Sequence, residues 1–121
     1  MNSKFYVSYE AARLLKEKGY NEECDTTIDD DGELFDEKYL LNQDLPVWRC
    51  SCPTKAEVID WLESKELVIE ATSLINGNKW RFSLYKRGSF YIDSLIDDRL
   101  DFPTRLEAEE AAIIKALELL Q

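Results

Sequence analysis

The sequence predicts an α+β fold: an antiparallel β-meander with two or three helices packed on one face. Three observations predict it. Residues 67–72 and 80–85 alternate apolar and polar with the period of a half-buried strand. Asn76-Gly77, the strongest short hairpin signal, lies between those two runs. The Pro-Thr starts at Pro53-Thr54 and Pro103-Thr104 then bracket the meander with helices, which gives α-β-β-β-α order over residues 54–120.

The first element is a helix that opens at Val7-Ser8-Tyr9-Glu10. The Ser8 hydroxyl is placed to accept an orphan amide of the first turn, and Glu10 suits the positive helix end. Ala11, Leu14 and Leu15 form its apolar stripe. Gly19 is the left-handed stop, with Tyr20 folding back on Leu15. Thr26-Thr27-Ile28 then reads as a strand, turned by Asp29-Asp30-Asp31-Gly32 and returning through Glu33-Leu34-Phe35. Glu37 to Pro46 reads as an irregular excursion carrying Tyr39, Leu40 and Leu41, and Val47 to Cys50 as a further short strand.

Thr54 and Glu57 have the spacing of a capping box, and Val58, Ile59 and Leu62 share one face of the helix that follows, with Trp61 on its flank. In the hairpin, a two-residue loop at Asn76-Gly77 sets Ala71 opposite Phe82 and Ile69 opposite Leu84, so the large apolar residues fall on one face. At Arg87-Gly88 a plain two-residue turn pairs Leu84 with Tyr91. A glycine bulge there instead brings Phe90 and Ile92 to the core face, and burial favours the bulge. The last helix repeats the Pro-Thr-basic-apolar-Glu start and runs to about Leu120, with Leu106, Ile113, Leu117 and Leu120 in one stripe.

The 121 residues read as a single domain, 1–121, in which 54–121 is the α-β-β-β-α core and 1–53 adds a helix and a hairpin. Hydrophobic residues make up 45% of the chain and charged residues 33%, a globular composition. The net charge of −10, from 25 acids against 15 bases, repels phosphate backbones and anionic lipid, which argues against nucleic acid and membrane as partners. No run approaches the ~18 apolar residues of a membrane span. The N-terminal stretch lacks an apolar run of signal-peptide length, and three cysteines leave one unpaired. The expectation is a reduced, cytoplasmic protein.

The chain contains no His, so the commonest metal ligand and the commonest general base are both missing. Cys50 and Cys52 are one residue apart, too close for paired zinc ligands and not a Cys-x-x-Cys redox motif, and Cys24 supplies only a third thiol. They read as packed thiols that lead into the Thr54 cap, and no metal or cofactor is expected. Asp29, Asp31 and Gly32 fit part of a calcium-loop register, but Lys38 stands where the bidentate Glu belongs, so the acidic run reads as a hairpin turn. No phosphate-binding glycine loop or nucleophile elbow is present, and no carboxylate pair stands out among 25 acids. An active site is not legible, and no catalytic residue is assigned. Trp80, Phe82, Phe90 and Tyr91 near Arg81, Lys86 and Arg87 have the makings of a base-stacking surface, but read better as a sheet core with edge cations.

Two resemblances follow from these residues. The element order of 54–120, with Arg105 to Ala112 and Ala116 to Leu120, resembles double-stranded-RNA-binding domains in its packing positions. Where that family places phosphate-binding lysines, this chain has Glu107, Glu109 and Glu110. The resemblance therefore implies the fold and speaks against the activity. The stretch Val7 to Asp25, with its Leu-Leu-Lys-Glu-Lys-Gly helix, the Pro-Thr-started helix with Trp61-Leu62 and the alanine-rich last helix are similar to small proteins of gut-bacterial prophages and mobile elements. That likeness covers most of the chain outside Asp36 to Trp48 and implies a genetic context only.

The reading that follows is a non-catalytic protein-interaction module encoded on a phage or mobile element, with a protein partner of unspecified identity. The alternative is a nucleic-acid-related role, as an acidic DNA mimic or a diverged RNA-binding domain. Trp61, Ile114 and Leu119 are the candidate interaction surface. Trp61 flanks its helix, while Ile114 and Leu119 point away from the main stripe of theirs. Either a second copy, as a symmetric homodimer, or the Tyr39-Leu40-Leu41 excursion is expected to cover the last helix.

Overall fold

A computed structural model describes residues 3–73, 79–87, 92–97 and 101–120, with only the backbone described for Ser3, 37–40 and 92–97. It is α+β with antiparallel sheets, and its chain divides into two compact units, Met1–Thr54 with Leu117–Gln121, and Lys55–Ala116.

The first unit is built from α1 (Tyr9–Glu17), β1 (Cys24–Asp29), β2 (Leu34–Leu40) and β3 (Arg49–Ser51). Helix α1 begins and ends as its sequence dictates. Ala11 N–H donates to Ser8 Oγ at 3.2 Å, and Gly19 adopts φ +87°. Tyr20 N–H reaches back to the Leu15 carbonyl (2.9 Å) and Gly19 N–H to that of Lys16 (3.3 Å), a complete Schellman motif. Ala11, Ala12 and Leu15 are fully buried. The sheet has order β2-β1-β3, with Thr27 facing Phe35 on one side and Ser51 on the other. Two boundaries differ from the expectation. The excursion expected from Glu37 instead continues β2 as far as Leu40, because pairing with β1 extends to Cys24 opposite Leu40 across an irregularity. The short strand expected at Val47 begins at Arg49, since Pro46, Val47 and Trp48 form a turn in which Arg49 N–H donates to the Pro46 carbonyl at 3.1 Å. The side chains of Tyr39 and Leu40 lie outside the described residues.

The second unit follows the expected order: α2 (Lys55–Ser64), β4 (Leu67–Ser73), β5 (Trp80–Arg87), β6 (Ile92–Asp97) and α3 (Arg105–Leu119), whose last turn runs past the unit's boundary. Ile69 faces Leu84 and Ala71 faces Phe82, the register that an Asn-Gly hairpin imposes, although the turn at Asn76-Gly77 itself lies outside the described residues. Leu67, Ile69, Phe82 and Leu84 are buried, and burying each such side chain stabilises by about 2 kcal/mol. Phe102 adds to this cluster. It exchanges two backbone hydrogen bonds with Trp80 (2.7 and 2.8 Å) and sets its ring 6.1 Å from that of Phe82.

The β5–β6 ladder departs from the expectation. Arg87 faces Ile92 and Leu84 faces Ile96, with the register shift between Leu84 and Tyr85. Among the described residues the irregularity therefore lies inside the ladder, while the glycine bulge expected at Arg87-Gly88 runs into residues outside those described. Gly88, Phe90 and Tyr91 lie outside the described residues. The chain leaves α2 through Glu66 at φ +68°, a left-handed residue without glycine's freedom, whose carbonyl accepts Arg87 N–H at 2.8 Å.

In α2, Val58 and Leu62 are fully buried, and so are Ala108, Ala112, Ile113, Ala116 and Leu117 of α3. The α3 helix starts as expected, with Glu107 N–H donating to Thr104 Oγ1 at 3.1 Å. Its buried face is nonetheless centred on the alanines. Leu106 and Leu120, expected in the apolar stripe, are only half-buried.

Candidate functional site

The structure places the three expected surface residues as follows. Trp61 is half-buried, with Lys65 Nζ 5.4 Å from its ring centre, Ile114 is half-buried, and Leu119 is exposed. The large apolar side chains exposed among the described residues are Phe5, Val47, Trp48 and Leu119. Val47 is 91% exposed and Trp48, its neighbour, 49%. Sequence reasoning missed this pair, which it had assigned to a strand. The available signal was Leu45-Pro46-Val47-Trp48, an apolar run whose second residue is a proline lacking the N–H a strand ladder uses.

The segment that presents Val47 and Trp48 is held in place by polar side chains. Lys16, in the last turn of α1, donates to the carbonyls of Leu45 (3.3 Å), Pro46 (2.8 Å) and Arg49 (2.9 Å). An ammonium has three N–H donors, so all three are used. Asn42, buried in the 3-10 turn Asn42–Asp44, donates to the Tyr20 carbonyl (2.8 Å) and accepts the Ser51 amide (2.8 Å). Asn21 and Gln43 exchange two further bonds of 3.2 Å each. Strand β3 is an edge of its sheet, and its Cys52-side neighbour bonds inward to the Thr26 carbonyl. The Arg49 carbonyl and Ser51 amide are thus engaged by Lys16 and Asn42.

Arg49 itself lies between two rings. Its guanidinium carbon is 4.3 Å from the Phe35 ring centre and 5.0 Å from that of Trp48. The guanidinium thus contacts the Trp48 ring by a cation–π interaction, and the side chain stays 49% exposed. Beside this loop is a cleft of about 460 Å3, lined by Tyr9, Arg13, Lys16, Leu45, Val47 and Cys50 among others. Arg13 is paired with Glu17 at 2.7 Å.

The cysteines close the question raised by their spacing. All three are free and buried. Cys24 Sγ donates to the Thr26 carbonyl (3.3 Å) and Cys52 Sγ to the Val7 carbonyl (3.2 Å), while burial pushes the Cys50 thiol above its ordinary range. These are packed side chains and not a gathered ligand set. Among the described residues, the one group of three ligand-type side chains is Asp29, Asp30 and Asp31, whose oxygens lie within 4.8 Å of one another. Asp29 Oδ1 accepts the amides of Asp31 (3.0 Å) and Glu33 (2.9 Å), and Gly32 turns the chain at φ +81°. That is the hydrogen bonding of an acidic hairpin turn.

Comparison with protein-family models, with curated proteins and with solved structures finds no match. Among the described residues, no helix is long and apolar enough to cross a membrane. The functional reading therefore rests on the molecule's own surfaces.

Proposed function

We propose that the chain is a non-catalytic protein-interaction module, and that Val47 and Trp48 form its recognition surface. One observation carries this reading: an exposed valine–tryptophan pair sits on a loop whose backbone is fixed by three bonds from Lys16. An unbound surface loop gains nothing from exposing these side chains, whereas tryptophan on a preorganised backbone is the residue most enriched in binding hot spots. The likeness to mobile-element proteins is compatible with such an adaptor. The test compares proteins captured by the wild type and by Val47→Asp/Trp48→Ala, with circular dichroism confirming that the variant is folded. Partners that are lost only with the variant support the reading, and an unchanged set of captured proteins removes it.

A further inference from the structure

We infer that the Val47–Trp48 surface takes a basic segment of its protein partner, in which lysine or arginine side chains flank an apolar anchor. This rests on the interaction reading above and adds the chemistry of the partner. Residues 1–54 contain twelve acids against six bases. The cations next to the surface are already engaged within the unit: Arg13 by Glu17, Lys16 by three carbonyls, and Arg49 between Phe35 and Trp48. Apart from Glu17 and Asp29, the carboxylates described near the turn and the loop stand in solvent. Asp30, Asp31, Glu33, Asp36 and Asp44 are all exposed. The acidic turn lies on the same side as the loop, since Asp29, at its start, directly faces Arg49 across β1 and β3. In the cleft the pKa of the Tyr9 hydroxyl is raised, by burial first and then by Cys50 and Asp30, with Arg13 opposing and Asp29 adding to the rise. A partner side chain of apolar character fits Val47 and the exposed part of Trp48, and positive charges beside it meet the acidic rim. An acidic partner meets repulsion there.

A displayed library of random peptides, selected on the full chain and counter-selected on Trp48→Ala, tests this directly. The expected winners carry net positive charge and at least one large apolar residue. A synthetic winner then loses about tenfold or more in affinity, measured by fluorescence anisotropy at physiological salt, on Trp48→Ala and also on Asp30→Asn/Asp31→Asn/Glu33→Gln. Asp29 is left intact because it organises the turn. The charge-matched control Asp60→Asn/Glu70→Gln/Glu107→Gln removes three exposed carboxylates outside the acidic turn, and is expected to bind within about twofold of the wild type. Trp48-dependent winners that are neutral or acidic overturn the basic-partner inference and leave the interaction reading standing. Equal losses in the control also overturn it, by showing attraction to any polyanion. If selection yields no Trp48-dependent peptide, the interaction reading falls with it.

Discussion

The two units reach stability by different means. In the second, Ile69 faces Leu84 and Ala71 faces Phe82 across β4 and β5, and the sheet holds because Ile69, Phe82 and Leu84 leave water together. In the first, the strands carry Thr26, Thr27, Asp29 and Ser51 at buried positions, and single polar side chains fasten distant backbone segments. Asn42 joins Tyr20 to Ser51, and Lys16 joins α1 to the loop before β3. Apolar burial is tolerant of shape, but a buried hydrogen bond is directional. The first unit therefore fixes the position of its loop more closely than a greasy contact of equal strength can. Position matters most where a surface must be recognised, and the exposed Val47 and Trp48 are in that unit.

The contrast can be broken by substitution. Leu84→Ala is expected to have the largest effect, a loss of about 4 kcal/mol in urea unfolding, since it empties the centre of the β4–β5 face. Asn42→Ala comes next, at about 3 kcal/mol, because it leaves both the Tyr20 carbonyl and the Ser51 amide without their buried partner. If Asn42→Ala costs under about 1 kcal/mol, polar bracing does not hold the first unit and the comparison fails.

Lys16→Met keeps the aliphatic stem and removes the ammonium. A loss of about 2 kcal/mol is expected, with faster amide exchange at Arg49, whose N–H closes the loop onto Pro46. Unchanged exchange would show that the loop is fixed by other contacts. Glu66→Gly is expected to stabilise by about 1 kcal/mol, because the left-handed backbone at that position burdens any residue with a Cβ. A decrease in melting temperature would mean that the Glu66 side chain contributes more than its backbone strain costs.

The smallest effect is a pH dependence. The hydrogen bond from Arg81 Nε, at 2.6 Å, holds the Asp101 carboxyl below its ordinary value of 3.8, and Lys79 at 3.7 Å adds to it. A carboxyl lowered in the folded state contributes stability in full above its unfolded pKa and loses it as the pH falls through the folded value. Asp101→Asn should therefore narrow the difference in melting temperature between pH 6 and pH values below 3.8, and a wider difference would contradict the assignment. The effect is small because the pair is in solvent.

How much of this was legible in the sequence follows from the same contrast. Alternation at 67–72 and 80–85 around Asn76-Gly77 specified the β4–β5 register residue for residue, and Ser8 and Gly19 marked both ends of α1, because each signal is local. The shift between Leu84 and Tyr85 was not legible, since a bulge moves a ladder without altering composition. In α3 the large residues suggested the stripe, and Ile113 and Leu117 are fully buried, but Ala108, Ala112 and Ala116 are equally buried beside them while Leu106 and Leu120 are only half-buried. The Lys16 and Asn42 bonds join residues far apart in sequence and leave no periodic trace, so the loop they fix was read as a strand. Of the candidate surface, Leu119 is exposed and Trp61 and Ile114 are half-buried, while the Trp48 surface left only the proline of Leu45-Pro46-Val47-Trp48 as a signal, its exposure being set by tertiary structure.

The way in which β3 ends its sheet has a further consequence. An open edge is a template: its free amides and carbonyls invite any extended chain to add a strand, whether as a legitimate ligand or as the first layer of a fibril. Here the Ser51 amide is occupied by Asn42 and the Arg49 carbonyl by Lys16, so two of the groups that such a template needs are already bonded. A visitor arriving beside Trp48 finds side chains to grip and a ladder partly closed. On the interaction reading proposed above, a partner at this end of the first unit reads side chains, and the same two bonds work against edge-to-edge self-association.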